Sequence, residues 1–427
     1  MQIKEIVELA GVLILVTVFL RAGLGIFSLA GYKLRAGRAQ KKHISEFRKI
    51  SLAANRKFEA EQERNRLAWE GKRKFRIAGR IVENPCGDVC SFYLVPYDDR
   101  ELPKFQPGQF LTFELSVPGE ADTVSRCYSI SSSAAEQRYY RISVKRLDAP
   151  ATAPTGTPPG LSSSRFHDHL QDGAVVDVRA PRGNFCLDMA SEKPVILIAG
   201  GIGITPILSM LDWLYATGSQ REIWVFYGVR NRNEHAMQDY LTALSDAMPN
   251  LRMLVAYSQP TPTCRRQVDY QIEGHITVDI LSPVVGARDC EIYLCGPGAM
   301  MTSLTEGLAA IGVPKSCVRS EEFTPASSRA TAAKASGSAN PAETFSVTFA
   351  RSGKVVQWAA GVGSLLEAAE ANGVKARCGC RQGICGTCAV AVQNGDIDYM
   401  RDPDREPAAG TCLPCIARPR SDLVLDL

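Results

Sequence analysis

The spacing of apolar positions changes character along the chain, and each change predicts a different kind of element. Residues 6–20 are almost unbroken aliphatic sequence, and the apolar run resumes after Arg21 as far as Leu29. That covers the roughly 20 residues a membrane helix needs. Residues 44–69 are rich in Glu, Arg, Lys and Ala without a strong apolar stripe, which predicts a solvated helical stalk; only Ile44, Phe47, Ala54 and Phe58 hint at a weak heptad seam. The period then drops to two. Leu111, Phe113 and Leu115 alternate with Thr112 and Glu114, and Tyr140, Ile142 and Val144 with Arg141, Ser143 and Lys145, as half-buried antiparallel strands should. With turns at Pro107-Gly108, Pro118-Gly119 and Pro158-Pro159-Gly160, residues 74–187 read as a small β-barrel.

From Pro194 the pattern becomes strand, turn, helix. Residues 195–199 are a short apolar run, and 207–214 carry helical spacing with Pro206 suited to a first turn. Further strands at 223–227, 253–256 and 291–294 alternate with helical stretches near 235–247 and 299–311, which predicts a parallel doubly wound sheet over 188–325. Residues 326–342 are small and polar, a linker, and a compact domain occupies 343–427. The expected fold class is therefore multidomain: a transmembrane anchor at 1–30, a stalk at 31–73, a barrel, a doubly wound α/β domain and a C-terminal domain.

Composition sharpens this picture at two points. The 427 residues exceed one ordinary core, and a net charge of +4 is too slight to suggest a nucleic-acid surface. Fourteen cysteines without regular pairing argue for reduced thiols in a cytosolic compartment rather than a disulfide framework. Charge orients the anchor, because Lys33, Arg35, Arg38, Lys41 and Lys42 follow the apolar run whereas Lys4, Glu5 and Glu8 precede it. The positive-inside rule then gives a single-pass inner (cytoplasmic) membrane protein with its folded domains in the cytoplasm. The competing reading is a cleaved signal peptide ending near Ser28-Leu29-Ala30; the acidic residues before the run and Arg21 within it favour the anchor.

Within the barrel, Arg126-Cys127-Tyr128-Ser129 resembles the R-x-Y-S signature of the ferredoxin-NADP reductase superfamily. The resemblance implies that Arg126 pairs with flavin phosphate, Tyr128 packs on the isoalloxazine and Ser129 lies near N5. A planar fork, an aromatic face and a hydroxyl suit those roles. Gly160 and Ser163 fall where the family opens a short helix onto the flavin phosphates. His167 and His169 are two residues apart and do not share a helix face, so they read as packing or surface residues.

In the α/β region, Gly200, Gly201 and Gly203 let the backbone approach a pyrophosphate before the helix N-terminus. With Thr205 and Pro206 they resemble the G-G-x-G-x-T-P form of the same superfamily. Cys295-Gly296-Pro297 resembles its C-G-P, which would set Cys295 beside the nicotinamide C4 with Gly296 and Pro297 along the dinucleotide. Arg230 lies near the expected ribose, and no arginine directly follows Ser258, so NADH is expected over NADPH, with Arg265 and Arg266 close by. Phe323 falls where relatives carry an aromatic that shields the flavin, and Glu321 or Glu322 where they carry an acid. Ser129, Cys295 and Phe323 are the expected catalytic residues.

Cys380, Cys385 and Cys388 form C-x4-C-x2-C, the spacing of plant-type 2Fe-2S ferredoxins, within a glycine-rich loop. By spacing alone, Cys412 and Cys415 compete for the fourth ligand, and Cys385, Cys388, Cys412 and Cys415 also make a CxxC pair able to hold structural zinc. The closing segment of the ferredoxin family aligns with Leu413-Pro414-Cys415, which assigns Cys415 and leaves Cys378 and Cys412 as neighbours.

Taken together, residues 74–427 resemble the flavin reductases with a C-terminal plant-type, β-grasp ferredoxin domain, phthalate dioxygenase reductase and the reductase component of phenylacetyl-CoA epoxidase among them. The resemblance implies an NAD(P)H-dependent oxidoreductase carrying FAD, with FMN as the alternative flavin, and a 2Fe-2S cluster. It would pass electrons singly to a protein such as a mono- or dioxygenase component, a hydroxylase, a desaturase or a cytochrome, and it would bind no nucleic acid. The alternatives are a respiratory NADH:quinone-type subunit and a relay or redox-sensing subunit without turnover.

Overall fold

The computed structural model describes residues 69–427 except 118–122, 150–158, 287–288, 324–343 and 360–362, together with isolated positions before residue 69. The expected anchor and linker lie outside the described residues, save Gly11, Leu20 and Arg21. Among the described residues no helix is long and apolar enough to cross a membrane. Of the heptad positions in the expected stalk, Phe47 and Phe58 are described and both are exposed. Residues 1–63 form one unit and 64–427 another, and the second carries the chemistry.

Six antiparallel strands make the first domain of that unit: β1 (Arg73–Val82), β2 (Val89–Pro96), β3 (Phe110–Leu115), β4 (Val124–Ser129), β5 (Tyr140–Lys145) and β6 (Val175–Arg182). Their order is β4-β3-β6-β1-β2-β5, and a bridge between Ile130 and Ile142 brings the two edges together as a barrel. Phe75, Phe92, Phe113, Tyr140 and Phe166 fill its interior. Trp69 packs on the wall, its indole N–H donating to the Val178 carbonyl at 3.0 Å.

The expectation of half-buried strands fails at β3 and β5, where the polar alternate positions are buried as well: Thr112, Glu114, Arg141 and Ser143 are all nearly inaccessible. Thr112 and Ser143 are paired within the barrel, with Cys127 and with Ser91 and Ser131, whereas Arg141 and Glu114 reach other domains. Arg141 donates to Asp212 of the next domain at 3.1 Å, and Glu114 receives Lys72 at 2.6 Å and Arg377 of the C-terminal domain at 3.8 Å.

A parallel sheet follows, built from β7 (Val195–Gly200), β8 (Ile223–Val229), β9 (Leu251–Tyr257), β10 (Ile272–Glu273), β11 (Glu291–Gly296) and β12 (Val318–Glu322). The order β10-β9-β8-β7-β11-β12 reverses direction at β7, the switch point where such sheets bind ligands. Helices cover both faces. On one side pack α2 (Ile204–Ala216) and α3 (Gln238–Ala247), on the other α4 (Val278–Val285) and α5 (Gly298–Ala310), each over its own apolar cluster. A short helix, α1 (Leu161–Ser164), belongs to the barrel domain.

The C-terminal domain is a β-grasp. Strands β13 (Thr344–Phe349), β14 (Lys354–Ala359), β15 (Val390–Asn394), β17 (Thr411–Cys412) and β19 (Leu423–Leu425) form one sheet, ordered β14-β13-β19-β15-β17; β16 (Ile397–Tyr399) and β18 (Ala417–Pro419) pair separately. Helix α6 (Leu365–Ala371) lies on the sheet, started by a capping box between Ser364 and Glu367.

Candidate active site

Three domains meet at one cleft of about 600 Å³. Its walls include Arg126, Tyr128 and Ser129 from β4, Gly160 and Ser163 around α1, Thr205 from the start of α2, and Phe323 after β12. Cys378 to Gln382 of the C-terminal domain close it. Residues assigned to flavin, nicotinamide and cluster thus share one space. Such proximity is what electron transfer between the three groups requires.

Each wall has a local cause. Arg126 has no carboxylate partner among the described residues; its guanidinium donates to the Ser125 carbonyl at 2.7 Å, which leaves most of its fork for an anion. Tyr128 is braced by edge-on contacts to Phe113 and Phe166 and by a 2.8 Å hydrogen bond to Ser162, so its ring is held in one orientation. Ser163 accepts from the Leu147 amide at 3.1 Å and donates to the Gly160 carbonyl at 3.0 Å. At Gly160 a Cβ would meet the Ser163 hydroxyl at 2.9 Å. The cleft size and this donor set fit a flavin with its phosphates toward Arg126 and α1.

In the nucleotide domain, close approach explains the glycines. A Cβ on Gly203 would lie 2.3 Å from the Cys295 carbonyl oxygen, and one on Gly200 would lie 2.8 Å from Pro297. The loops after β7 and β11 therefore pack backbone to backbone, with α2 starting directly behind. Gly201 takes φ +53°, a left-handed conformation that glycine adopts freely. Pro206 sits in the first turn of α2, and Thr205 donates back to the Ile202 carbonyl at 3.0 Å.

Other expected residues stand apart from the cleft. Cys295 is fully buried at the end of β11, in register with Ala199 and Glu321, and it does not line the cleft. Its side chain belongs to the apolar cluster under α2, so the end of the strand is placed as expected but the thiol points into the core. Arg230 is held by Glu234 at 2.6 Å at the far end of β8. Gly296 closes β11 and Pro297 precedes α5, with Phe323 N–H donating to the Gly296 carbonyl at 3.3 Å.

Glu321 is a buried carboxyl in the wall of the cleft. It is 6% exposed, its Oε2 has no hydrogen-bond partner, and burial alone pushes its carboxyl up to about 8. Burial favours the neutral carboxyl over the carboxylate at this position.

The cysteine sulfurs come in two pairs. Cys380 and Cys385 are linked by mutual amide-to-sulfur hydrogen bonds, each 3.2 Å, and the Gln382 amide points at the Cys380 sulfur at 3.4 Å. Cys388 and Cys415 sulfurs are 3.2 Å apart. Among the described residues no three such side chains gather around one point as a single ion would need. Two sulfur pairs, one of them on a loop whose amides aim at Cys380 and Cys385, fit two irons with two thiolates each, and they fit a single tetrahedral zinc poorly. Cys412 is fully buried in the β-grasp core on β17, and its sulfur is not one of the two pairs. Gly379 permits the approach, since a Cβ there would lie 2.8 Å from the Cys385 sulfur. Cys378 faces the cleft, with Arg381 donating to its sulfur at 3.4 Å.

Residues 83–186 match the oxidoreductase FAD-binding domain, 197–306 the oxidoreductase NAD-binding domain and 347–420 the 2Fe-2S iron-sulfur cluster binding domain. The chain belongs to the oxidoreductase family that joins FAD- and NAD-binding domains, and it adds a C-terminal 2Fe-2S domain. A flavohemoprotein of Bacillus cereus is 35% identical over 260 residues, which are 61% of this chain and 63% of that protein. The chain therefore spans less than two thirds of that relative. The flavohem-like FAD/NAD-binding domain of nitric oxide dioxygenase from Vibrio cholerae O1 biovar El Tor matches with a TM-score of 0.52 at 30% identity, covering 59% of this chain and 99% of that one. Phthalate dioxygenase reductase, a modular structure for electron transfer from pyridine nucleotides to 2Fe-2S, matches with a TM-score of 0.52 at 29% identity, over 84% of this chain and 98% of that one.

Proposed function

We propose that this oxidoreductase is a membrane-anchored, NADH-dependent reductase that hands electrons one at a time to a protein acceptor of the oxygenase, hydroxylase or desaturase class. The observation that carries the reading is the cleft shared by the flavin signature, the nicotinamide loop and the cysteine loop. When bound, the flavin supplies two-electron acceptance from the nicotinamide, and the cluster supplies one-electron delivery. The protein orients both. Arg126 and the Gly160–Ser163 turn would hold phosphate, Tyr128 would pack on the flavin ring, Ser129 would lie beside its reactive edge, and Phe323 would shield it until the nicotinamide enters. Gly200 to Pro206 would seat the pyrophosphate. Cys380, Cys385, Cys388 and Cys415 would ligate the two irons.

Preference for NADH is supported by the basic residues near the ribose end, which are already engaged by acids. Arg230 pairs with Glu234 at 2.6 Å, and Arg265 and Arg232 lie 3.7 and 4.0 Å from Asp269. A 2′-phosphate would have to displace those carboxylates. The anchor is supported by the apolar run up to Leu29 and the basic residues after it. Purified protein should contain flavin, iron and acid-labile sulfide near 1:2:2 and should reduce a one-electron dye with NADH faster than with NADPH. Zinc in place of iron, or no NADH turnover, would sink the reading. Fractionation of the full chain into carbonate-washed membranes tests the anchor separately.

A further inference from the structure

A helix buried along most of its length should be apolar there, and α2 breaks that rule on one stripe. Thr205, Ser209 and Asp212 stand at i, i+4 and i+7, which puts them on one face, and all three are buried. Thr205 lines the cleft at the start of the helix. The other two bond to the barrel: Ser209 donates to the Ser132 carbonyl at 2.8 Å, and Asp212 accepts from Arg141 of β5 at 3.1 Å.

Both ends of this clasp lead back to the cleft. Arg141 also donates through Nε to the Ser131 hydroxyl at 3.2 Å and through Nη2 to the Ser131 carbonyl, so it holds the segment just beyond Ser129 of the flavin signature. From the Ser131 hydroxyl the chain of bonds continues to the Ser143 hydroxyl at 2.9 Å, and Ser143 lies in the cleft wall. On the other side, Tyr240 of α3 donates to the second oxygen of Asp212 at 2.8 Å, with its ring 5.6 Å from the Arg141 guanidinium. Each oxygen of the buried carboxylate thus has a donor, one from each domain.

We propose that Asp212 is a positioning residue for hydride transfer: by clasping Arg141 it fixes α2 in register against the segment after the flavin signature, and so sets how the nicotinamide seated by the Gly200–Pro206 loop approaches the flavin seated by the barrel. The inference rests on the reading of those two sites. The step it serves breaks the C4–H bond of the dihydronicotinamide and forms an N5–H bond on the flavin; two electrons travel with the hydride, the nicotinamide is oxidised and the flavin reduced. Asp212 exchanges neither proton nor electron. Its part is geometric, because apolar packing is non-directional whereas a hydrogen-bonded ion pair weakens steeply with displacement, which is why buried polar groups serve to fix register. Hydride transfer is sensitive to that register, since the reacting atoms must lie about 3–3.5 Å apart.

The test uses the full chain loaded with FAD, as wild type, Asp212→Asn and Ser209→Ala. Asp212→Asn keeps the shape of the side chain and removes its charge. Its limiting rate of flavin reduction at saturating NADH, read by anaerobic stopped flow, should fall about tenfold or more, within the range that a misplacement of up to about 1 Å costs. Flavin content and the affinity for NAD+, measured by titration calorimetry, should stay at their wild-type values. Hydrogen exchange without nucleotide gives a readout free of turnover: amides of 130–142 and 204–216 should exchange faster in the variant, and those of the C-terminal domain should not change. Ser209→Ala should lower the limiting rate by a smaller factor. An unchanged limiting rate in Asp212→Asn would overturn the inference, and so would a rate lost only in step with flavin content or NAD+ affinity, which is what a merely structural role predicts. If Asp212→Asn fails to fold, Ser209→Ala decides: an unchanged limiting rate there also overturns it. A wild-type chain that holds no FAD, or whose FAD is not reduced by NADH, would overturn the underlying reading together with the inference, and is recognised before any variant is made.

Discussion

Two residues in this protein carry more information than their surroundings. The first is Cys415, whose sulfur lies 3.2 Å from that of Cys388, whereas Cys412 is sealed in the β-grasp core. Cys415→Ser should abolish the EPR signal of the reduced cluster, because an alcohol replaces a thiolate poorly as an iron ligand, and Cys412→Ser should leave the signal in place. The opposite result would move the fourth ligand by three residues. The second is Glu321, which burial pushes from 4.5 up to about 8. Between those values the folded carboxyl holds a proton that the unfolded chain releases. Its contribution to stability is therefore complete below about pH 4.5 and is lost as pH rises toward 8. Glu321→Gln cannot ionise. It should melt at a higher temperature than the wild type at pH 8 and close to it at pH 5, so scanning calorimetry at the two pH values should show a flatter profile for the variant. Equal slopes would mean that Glu321 is ionised in the fold.

At the scale of elements, local spacing was readable and neighbourhood was not. The glycine turn after β7, the cysteine loop and the R-x-Y-S strand were legible because their residues act within a few positions of one another, where backbone geometry dictates type. The strands β7, β8, β9 and β11 likewise announced themselves as short apolar runs between helical stretches. The polar faces of β3 and β5 were misread, since an alternating pattern is the same whether the polar side meets water or another domain's charges. Glu114 and Arg141 show no sequence sign of Arg377 and Asp212. Cys295 was placed on the right strand end, but a strand's last side chain can face either side. Gly203 offers a test at this scale. A Cβ there would press on the backbone at 2.3 Å and cannot be relieved by a side-chain rotation. Gly203→Ala should spread the β7 and β11 loops and raise KM for NADH about tenfold or more, with flavin content preserved; the magnitude is that of a displaced binding loop, on the order of 1.4 kcal/mol per factor of ten. Unchanged NADH kinetics would show that the loops have slack.

For the whole molecule, the question is how three separately folded cores keep their cofactor sites within reach of one another. The barrel and the nucleotide domain are joined through the buried Arg141, Asp212 and Ser209. Arg141 meets Asp212 at 3.1 Å, Tyr240 donates to the same carboxylate at 2.8 Å, and Ser209 donates to the Ser132 carbonyl at 2.8 Å. The cysteine loop is held to the barrel by looser charge pairs, Arg377 with Glu114 at 3.8 Å and Arg182 with Asp404 at 3.7 Å. A joint of partly exposed charges is weak and screened by salt, so it suits a domain that must dock on the flavin side and then present its cluster to a partner. Arg182→Asp should therefore repel Asp404 and unseat the loop while leaving both cofactor sites chemically intact. Flavin reduction by NADH in stopped flow should proceed at the wild-type rate. Reduction of the cluster should slow by tenfold to a hundredfold, on the order that a misplacement of about 1 Å costs. Adding Asp404→Arg restores the attraction with the charges exchanged, and the double variant should recover most of the lost rate. Recovery in the double variant separates a docking contact from damage to the fold, because damage would accumulate with the second substitution instead of being reversed by it.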